Sequence, residues 1–291
     1  MFSEFLQYLF SGVTIGATYA MVGVGFAIIY NASHVINFAQ GEFVMIGGMG
    51  TVFLLGLGMP MPLAILCALA LAVLTGLALE KLAVEPAKNA GVITLIIITI
   101  GASIFIRGLA QVVWGKEFFA MPSFSGDTPI VIGGATILPQ SLWVLGVTLI
   151  IVIVLAWFFN RTMLGKAVVA TACSADTAKL MGINTQFILF FSFGLSALLG
   201  AVAGVLLTPI SLTSYDVGIM LGLKGFVGAV LGGLGSAPGA IVGGLLLGIA
   251  EAMAAGYISS DYKDAVPFVL ILLVLFFMPS GLFGVRGTER V

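Results

Sequence analysis

Charged side chains are scarce along this chain: Asp, Glu, Lys and Arg make up 8% of its 291 residues, against about 25% in soluble domains. The formal net charge is -1, so no basic face exists on which a phosphate backbone could be neutralised, and nucleic acid is excluded as a partner. A single histidine, His34, is too solitary for a metal site or for H-E-x-x-H and reads as an interfacial side chain. The two cysteines, Cys67 and Cys173, fall in an expected span and an expected cytosolic loop, and both read as free thiols. No phosphate loop is present, because Gly115-Lys116 is followed by Glu117 and Gly165-Lys166 by Ala167. There is no G-x-S-x-G elbow, and Tyr215-Asp216 has no second G-x-G-D aspartate to pair with. These absences point to a non-catalytic chain that binds no cofactor of its own, with any nucleotide energy supplied by another subunit.

What the chain has instead is apolar length. Hydrophobic residues make up 60% of it, and runs of the roughly 20 residues needed to cross a bilayer recur from end to end. The runs are continuous, without the alternation of lipid-facing strands, so helices are expected and a barrel is not. Pro, Gly and polar residues divide the sequence into spans at about 5 to 30, 35 to 57, 62 to 82, 91 to 113, 141 to 159, 185 to 208, 217 to 234, 237 to 257 and 265 to 282. The expected fold is all-α: one polytopic transmembrane domain over 1–291 with eight or nine spans. The seventh, short, Gly-rich and interrupted by Lys224, reads as broken or re-entrant if it is not a full crossing. The N-terminus carries Glu4 and no basic n-region, so the first run is expected to stay as a span.

Basic residues in short loops collect on the cytoplasmic side. Placing Lys81, Lys88, Arg161, Lys166, Lys179, Arg286 and Arg290 inside leaves only Lys116 and Lys263 outside, with Arg107 and Lys224 embedded. This puts the N-terminus outside and the C-terminus in the cytosol, which requires an odd number of crossings and favours nine. The external stretch at about 114–140, with Pro122, Gly126, Pro129, Gly133, Gly134 and Pro139, reads as turns and irregular structure that either contacts a partner or covers helix ends.

Three polar interruptions are candidates for function. In the cytosolic loop at about 160–184, Ser174 can cap a short helix with Asp176 in its first turn, and Gly182 can end it with Ile183 folding back. Ala175, Ala178 and Met181 would share one side of that helix. Two turns are unstable alone in water, so the helix must dock, either on its own domain or on a soluble partner. The second candidate is Asn37, Gln40 and Glu42 at the cytosolic end of the second span, where a buried carboxylate implies a gate or a structural polar knot. The third runs from Leu223 to Gly248. Gly228 with Gly232 and Gly239 with Gly243 allow close helix approach, and embedded Lys224 needs a counter-ion, for which Asp216 and Glu251 are the candidates.

With these residues in view, the chain resembles the LivH-type permeases of high-affinity branched-chain amino acid ABC importers. The resemblance runs over essentially the whole length and rests on four ordered segments: INFAQGE at 36–42, GKAVVATACSADTAKLMGIN at 165–184, VLGGLGSAPGAIVGGLLLGIAE at 230–251 and YKDAVPFVLILLVLFFMPSGLFG at 262–284. It departs from the family pattern at Gln40, where His is common, and at Lys166 and Val169, where more basic residues are common. The resemblance implies a multi-pass bacterial inner-membrane permease that pairs with a homologous permease, sits on two cytosolic ABC ATPases that hold ATP and Mg, and receives substrate from a periplasmic binding protein. It also implies that Ser174, Ala175, Asp176, Thr177, Ala178, Lys179, Leu180, Met181, Gly182, Ile183 and Asn184 form the segment that couples to the ATPase. Asn37, Gln40, Glu42 and Lys224 remain gate or pathway candidates. Relatives of this type that carry urea or short-chain amides give an alternative substrate, and a facilitative channel is the alternative mechanism.

Overall fold

The structure, a computed structural model, describes residues 2–88 and 90–284; Arg286 and Arg290, which the sequence places inside, lie outside the described residues. Eleven α-helices make up most of the described chain. They are α1 (Phe2–Ser33), α2 (Gln40–Gly56), α3 (Met61–Leu79), α4 (Val92–Trp114), α5 (Pro139–Arg161), α6 (Met163–Cys173), α7 (Ala175–Leu180), α8 (Thr185–Leu207), α9 (Val217–Gly232), α10 (Ala237–Tyr257) and α11 (Val266–Phe277). Each expected span coincides with one of them. Among the described residues six stretches are long and apolar enough to cross a membrane: α1, α3 with the turns that extend it to Ala87, α4, α5, α8 and α10. With 17, 16 and 12 residues, α2, α9 and α11 are shorter.

The long first helix is the centre of the bundle, buried over most of its length and packed on α8, α9 and α10. Around this centre α3, α4, α5 and α11 turn apolar side chains outward. Leu66, Leu74, Ile97, Phe105, Ile153 and Trp157 are all more than half exposed, as expected where hydrocarbon rather than water is the solvent.

Lipid tails are as apolar as leucine, so helices in a bilayer associate through close backbone contact and not by escape from water. The predicted glycines do this. A Cβ on Gly228 would lie 3.0 Å from the Gly244 Cα, and one on Gly232 or Gly243 would run into the facing backbone of Gly239 or Gly228. Two further crossings of the same kind, Gly16 on Gly248 and Gly41 on Gly218, join α1 to α10 and α2 to α9. Gly232→Val is therefore expected to cost at least the roughly 1–3 kcal/mol of overpacking and to remove most of the monodisperse protein in detergent. Gly101→Val in α4, where a Cβ meets nothing within 4 Å, should leave the yield unchanged; equal yields would sink this account of the crossing.

Two expectations are corrected. The seventh span is not broken: α9 runs without interruption from Val217 to Gly232 through Lys224. The stretch at 114–140 is not wholly irregular. Ile130–Ile132 (β1) and Ala135–Ile137 (β2) form an antiparallel hairpin, and Gly133 and Gly134 supply the two positive φ angles, 61° and 83°, that a two-residue turn demands. The hairpin covers the start of α1, where Gln7 Oε1 accepts the Thr136 N–H at 2.7 Å.

Candidate functional site

At the end of the bundle opposite the hairpin, the loop after α5 folds into two helices. Thr162 caps α6 by accepting the Gly165 N–H on its hydroxyl oxygen at 3.0 Å, and Gly165 lets α6 rest against the backbone of Phe158 and Phe159. This helix was not legible as a separate element. Its start signal, a lone threonine just after a long span, is weak.

The next helix, α7, was legible, and its ends are made as the residues suggest. Ser174 accepts the Thr177 N–H at 3.2 Å. At the other end the Ile183 N–H reaches the Ala178 carbonyl and the Gly182 N–H reaches the Lys179 carbonyl, both at 3.0 Å, while Gly182 takes φ 83°. That pair of bonds is the Schellman ending, which a left-handed glycine permits at little cost. Asn184 then caps α8 by accepting the Phe187 N–H at 3.1 Å. Asp176 and Lys179 pair at 3.4 Å in the open, which contributes little.

The faces of α7 differ from expectation. Ala178 is buried as the foot of the helix, but Met181 does not share that side: Leu180 is 88% and Met181 78% exposed. The helix is thus docked on its own domain through Ala178 and still presents two large apolar side chains outward. The first of the two readings open in the sequence, docking on its own domain, is realised through Ala178, and the opposite face stays uncovered.

The second span begins deeper than its sequence position suggests. Gln40 Nε2 donates to the Ser196 carbonyl (3.1 Å) and its Oε1 accepts from the Ser196 hydroxyl (2.6 Å), beside Gly25. Gly25 lies eight residues before the end of α1, so α2 starts about 12 Å below that end at 1.5 Å per residue. Residues 34–39 are therefore a non-helical link that runs back along the end of α1. Non-helical backbone at such depth must be satisfied by protein groups. Ser33 Oγ accepts the Val35 N–H, Thr99 Oγ1 that of Phe38, and Asn37 Oδ1 that of Ala39.

In this arrangement Asn37 and Gln40 serve as backbone supports. Glu42, also buried, accepts from Ser103 Oγ at 2.7 Å and lies 3.7 Å from the Arg107 guanidinium. Among the described residues its second oxygen has no hydrogen-bond partner, nor has the Asn37 amide nitrogen. Ser103 and Arg107, one turn apart in α4, were the available signal for a polar stripe facing Glu42.

The structure also decides the counter-ion of Lys224. Its Nζ lies 2.6 Å from Glu251 Oε1 on α10 and 2.7 Å from Asp264 Oδ1 on the turn before α11. The Tyr19 hydroxyl donates to the other Glu251 oxygen at 2.9 Å, and the Tyr19 ring stands 5.7 Å from Nζ, a cation–π distance. Asp216, the other candidate, instead accepts from Ser214 Oγ at 2.5 Å.

Asp264 lies outside the spans, and the hydrogen bond from Lys224 holds its carboxyl below the usual aspartate range. Its folded value thus lies below its unfolded one, so its contribution is complete above the unfolded pKa of about 3.9 and is lost as pH falls through the folded value. The melting-temperature difference between wild type and Asp264→Asn in detergent is accordingly expected to hold from pH 8 to 5 and to shrink below about pH 4. A difference that instead collapsed near neutrality would contradict the assignment.

A bundle of apolar helices of bilayer length, with ion pairs and amides buried between helices and a capped helix projecting at one end, defines a polytopic helical membrane protein. The family model described as the permease component of branched-chain amino acid transport systems matches residues 8–275, and the chain belongs to that family. It is 36% identical to the high-affinity branched-chain amino acid permease LivH of Escherichia coli K12, covering 100% of this chain and 99% of that protein. Identity is 35% to the permease BraD of Pseudomonas aeruginosa, over 99% and 98% of the two chains. The E. coli galactofuranose transporter permease YtfT is 27% identical over 94% of this chain and 81% of its own length. Among solved structures, a chain of PsaBC from Streptococcus pneumoniae, determined in complex with a Fab, superposes with a TM-score of 0.52 at 15% identity, covering 96% and 97% of the two chains; this likeness concerns the fold alone.

Proposed function

We propose that this chain is the non-catalytic permease subunit of an ABC importer in a bacterial inner membrane, moving leucine, isoleucine and valine into the cytoplasm. It would act with a homologous permease, two cytosolic ATPases that hold ATP and Mg, and a periplasmic binding protein. The observation that carries the coupling role is the tip of α7, where Leu180 and Met181 stand in the open on a helix capped at both ends. Water penalises such exposure, so the tip is read as a contact for a soluble partner. Closure of the ATPases would push on this tip and rock the helices around a pathway between the two permeases.

The reading takes nine crossings, with the N-terminus outside and α7 in the cytosol, from the basic residues of the short loops; six of the helices are themselves long and apolar enough to span. Lys224 serves in this reading as a lock among α1, α9, α10 and the turn before α11, and Glu42, with one free oxygen, is the remaining pathway candidate.

Reconstituted complex should take up radiolabelled leucine only with ATP and the ATPases present. Uptake without either would establish a channel, and preference for urea over leucine would reassign the substrate. The substrate arm is needed because a galactofuranose permease is among the relatives.

A further inference from the structure

A cavity of about 380 Å3 opens beside α7, walled by the end of α1, the turns after α3, the start of α8 and, at Leu95, α4. Its volume falls within the roughly 300–1,000 Å3 of small-molecule sites. Val84, Leu95 and Leu189 give it an apolar side, the first two of them buried. The charged residues on its wall are Glu80, Glu85, Lys88 and Lys179, two of each sign.

Glu80 differs from the other three. It opens a π-helical turn, Glu80–Val84, a local widening frequent at functional sites, and it is turned inward there, 1% exposed, while Lys81 beside it faces outward. Glu85 is satisfied, by Lys81 at 2.7 Å and by the Gln186 amide. Among the described residues no group donates a hydrogen bond to the Glu80 carboxylate, and its Oε1 is buried. A carboxylate buried without a donor is costly, so this one calls for a cation that the chain does not supply. A second unfilled set of groups lies where α8 begins. Asn184 takes the Phe187 N–H on its side chain and the Ile188 N–H on its carbonyl. The N–H groups of Thr185 and Gln186, both residues of the cavity wall, are left without a partner among the described residues. They are the positive end of a 23-residue helix.

We propose that this cavity binds an α-amino acid with an aliphatic side chain and that the bound molecule restrains α7. The ammonium meets the Glu80 carboxylate, the carboxylate meets the free N–H groups of α8 with Lys88 and Lys179 at the rim, and the aliphatic chain lies on Val84, Leu95 and Leu189. A bare cation would be opposed by the two lysines and an anion by the carboxylates, whereas a zwitterion uses both signs. Because Ala175 and Lys179 of α7 form part of the wall, a ligand seated here ties α7 to α1, α4 and α8. In the functional reading above, on which this inference rests, that amino acid is the imported product. Its accumulation on the α7 side holds the helix still and slows further import.

The test is the initial rate of radiolabelled leucine uptake by the reconstituted full complex, with ATP in the vesicle lumen so that only complexes with α7 facing inward are driven. Unlabelled leucine preloaded in the lumen is expected to slow uptake several-fold. Isoamylamine, which lacks the carboxylate, and isocaproate, which lacks the ammonium, should leave it unchanged. Glu80→Gln is expected to raise the lumenal leucine needed for half-slowing by about tenfold or more, with uptake into empty vesicles unaltered. Ala32→Phe, which fills the cavity from the half-buried last turn of α1, should remove the slowing without touching the carboxylate, and it carries the test if Glu80→Gln fails to assemble. Uptake indifferent to lumenal leucine, in a complex that transports leucine, would overturn the site. So would slowing that persists undiminished in either variant, which would be back-occupation of the path itself. Slowing by isoamylamine as strong as by leucine would also overturn it, making the cavity a seat for cations alone. Absence of leucine uptake by the wild-type complex would instead sink the functional reading itself, and this inference with it.

Discussion

Replacing Lys224 with methionine is expected to destabilise the bundle by about 3–5 kcal/mol, the range for removing one partner of a buried ion pair. The loss does not measure the strength of the pair. It arises because Glu251, buried and 2.6 Å from Lys224, would keep only the Tyr19 hydroxyl as a donor, and an uncompensated carboxylate between helices is costly. Asp264 matters less, since its side chain is 49% exposed and water can replace the lysine.

The double variant Lys224→Met with Glu251→Gln should therefore recover most of the loss, because no charge is left buried there. Unfolding in detergent micelles, run as a double-mutant cycle, measures both effects. If the two single losses simply add in the double variant, the residues are not coupled and the lock does not exist.

A second large effect is expected at the tip of α7. Leu180→Asp with Met181→Asp should abolish ATP-driven uptake and substrate-stimulated ATP hydrolysis while leaving the permease folded. Both side chains already face solvent, so charge there costs the isolated chain little. Met163→Asp is the control: Met163 is 83% exposed and lies on α6, outside the coupling segment. Survival of uptake and stimulated hydrolysis in the double variant would remove the coupling assignment, and equal damage from Met163→Asp would show that the whole face contributes rather than this tip.

The helices and the caps of α7 were readable because both are local. An apolar run long enough to cross a bilayer satisfies its own backbone only as a helix, and Ser174 and Gly182 act on neighbours a few residues away. The glycine crossing of α9 on α10 was readable for a related reason: a short turn at Ser236 joins the two helices, so adjacent glycines have little choice but to meet.

Other features depended on helices distant in the sequence. Tyr19 in α1 and Asp264 before α11 meet Lys224 only because α1 packs against both α9 and α10. Gln40 finds Ser196 because Gly25 and Gly200 leave room for its amide, which is also what draws the start of α2 below the end of α1. The sequence placed the interruption in α9, where Lys224 looks disruptive. An embedded lysine does not break a helix when carboxylates on neighbouring elements neutralise it, so the irregular backbone fell at 34–39 instead.

By itself, then, the sequence determined a chain of apolar helices and a short helix capped at both ends, because chain-local hydrogen bonding and apolar length leave no other arrangement. Tertiary structure alone decided which buried charges pair, which face of α7 is free and where a cavity opens beside it. Those outcomes depend on backbone approach between helices far apart in the chain, which no local pattern of residues encodes.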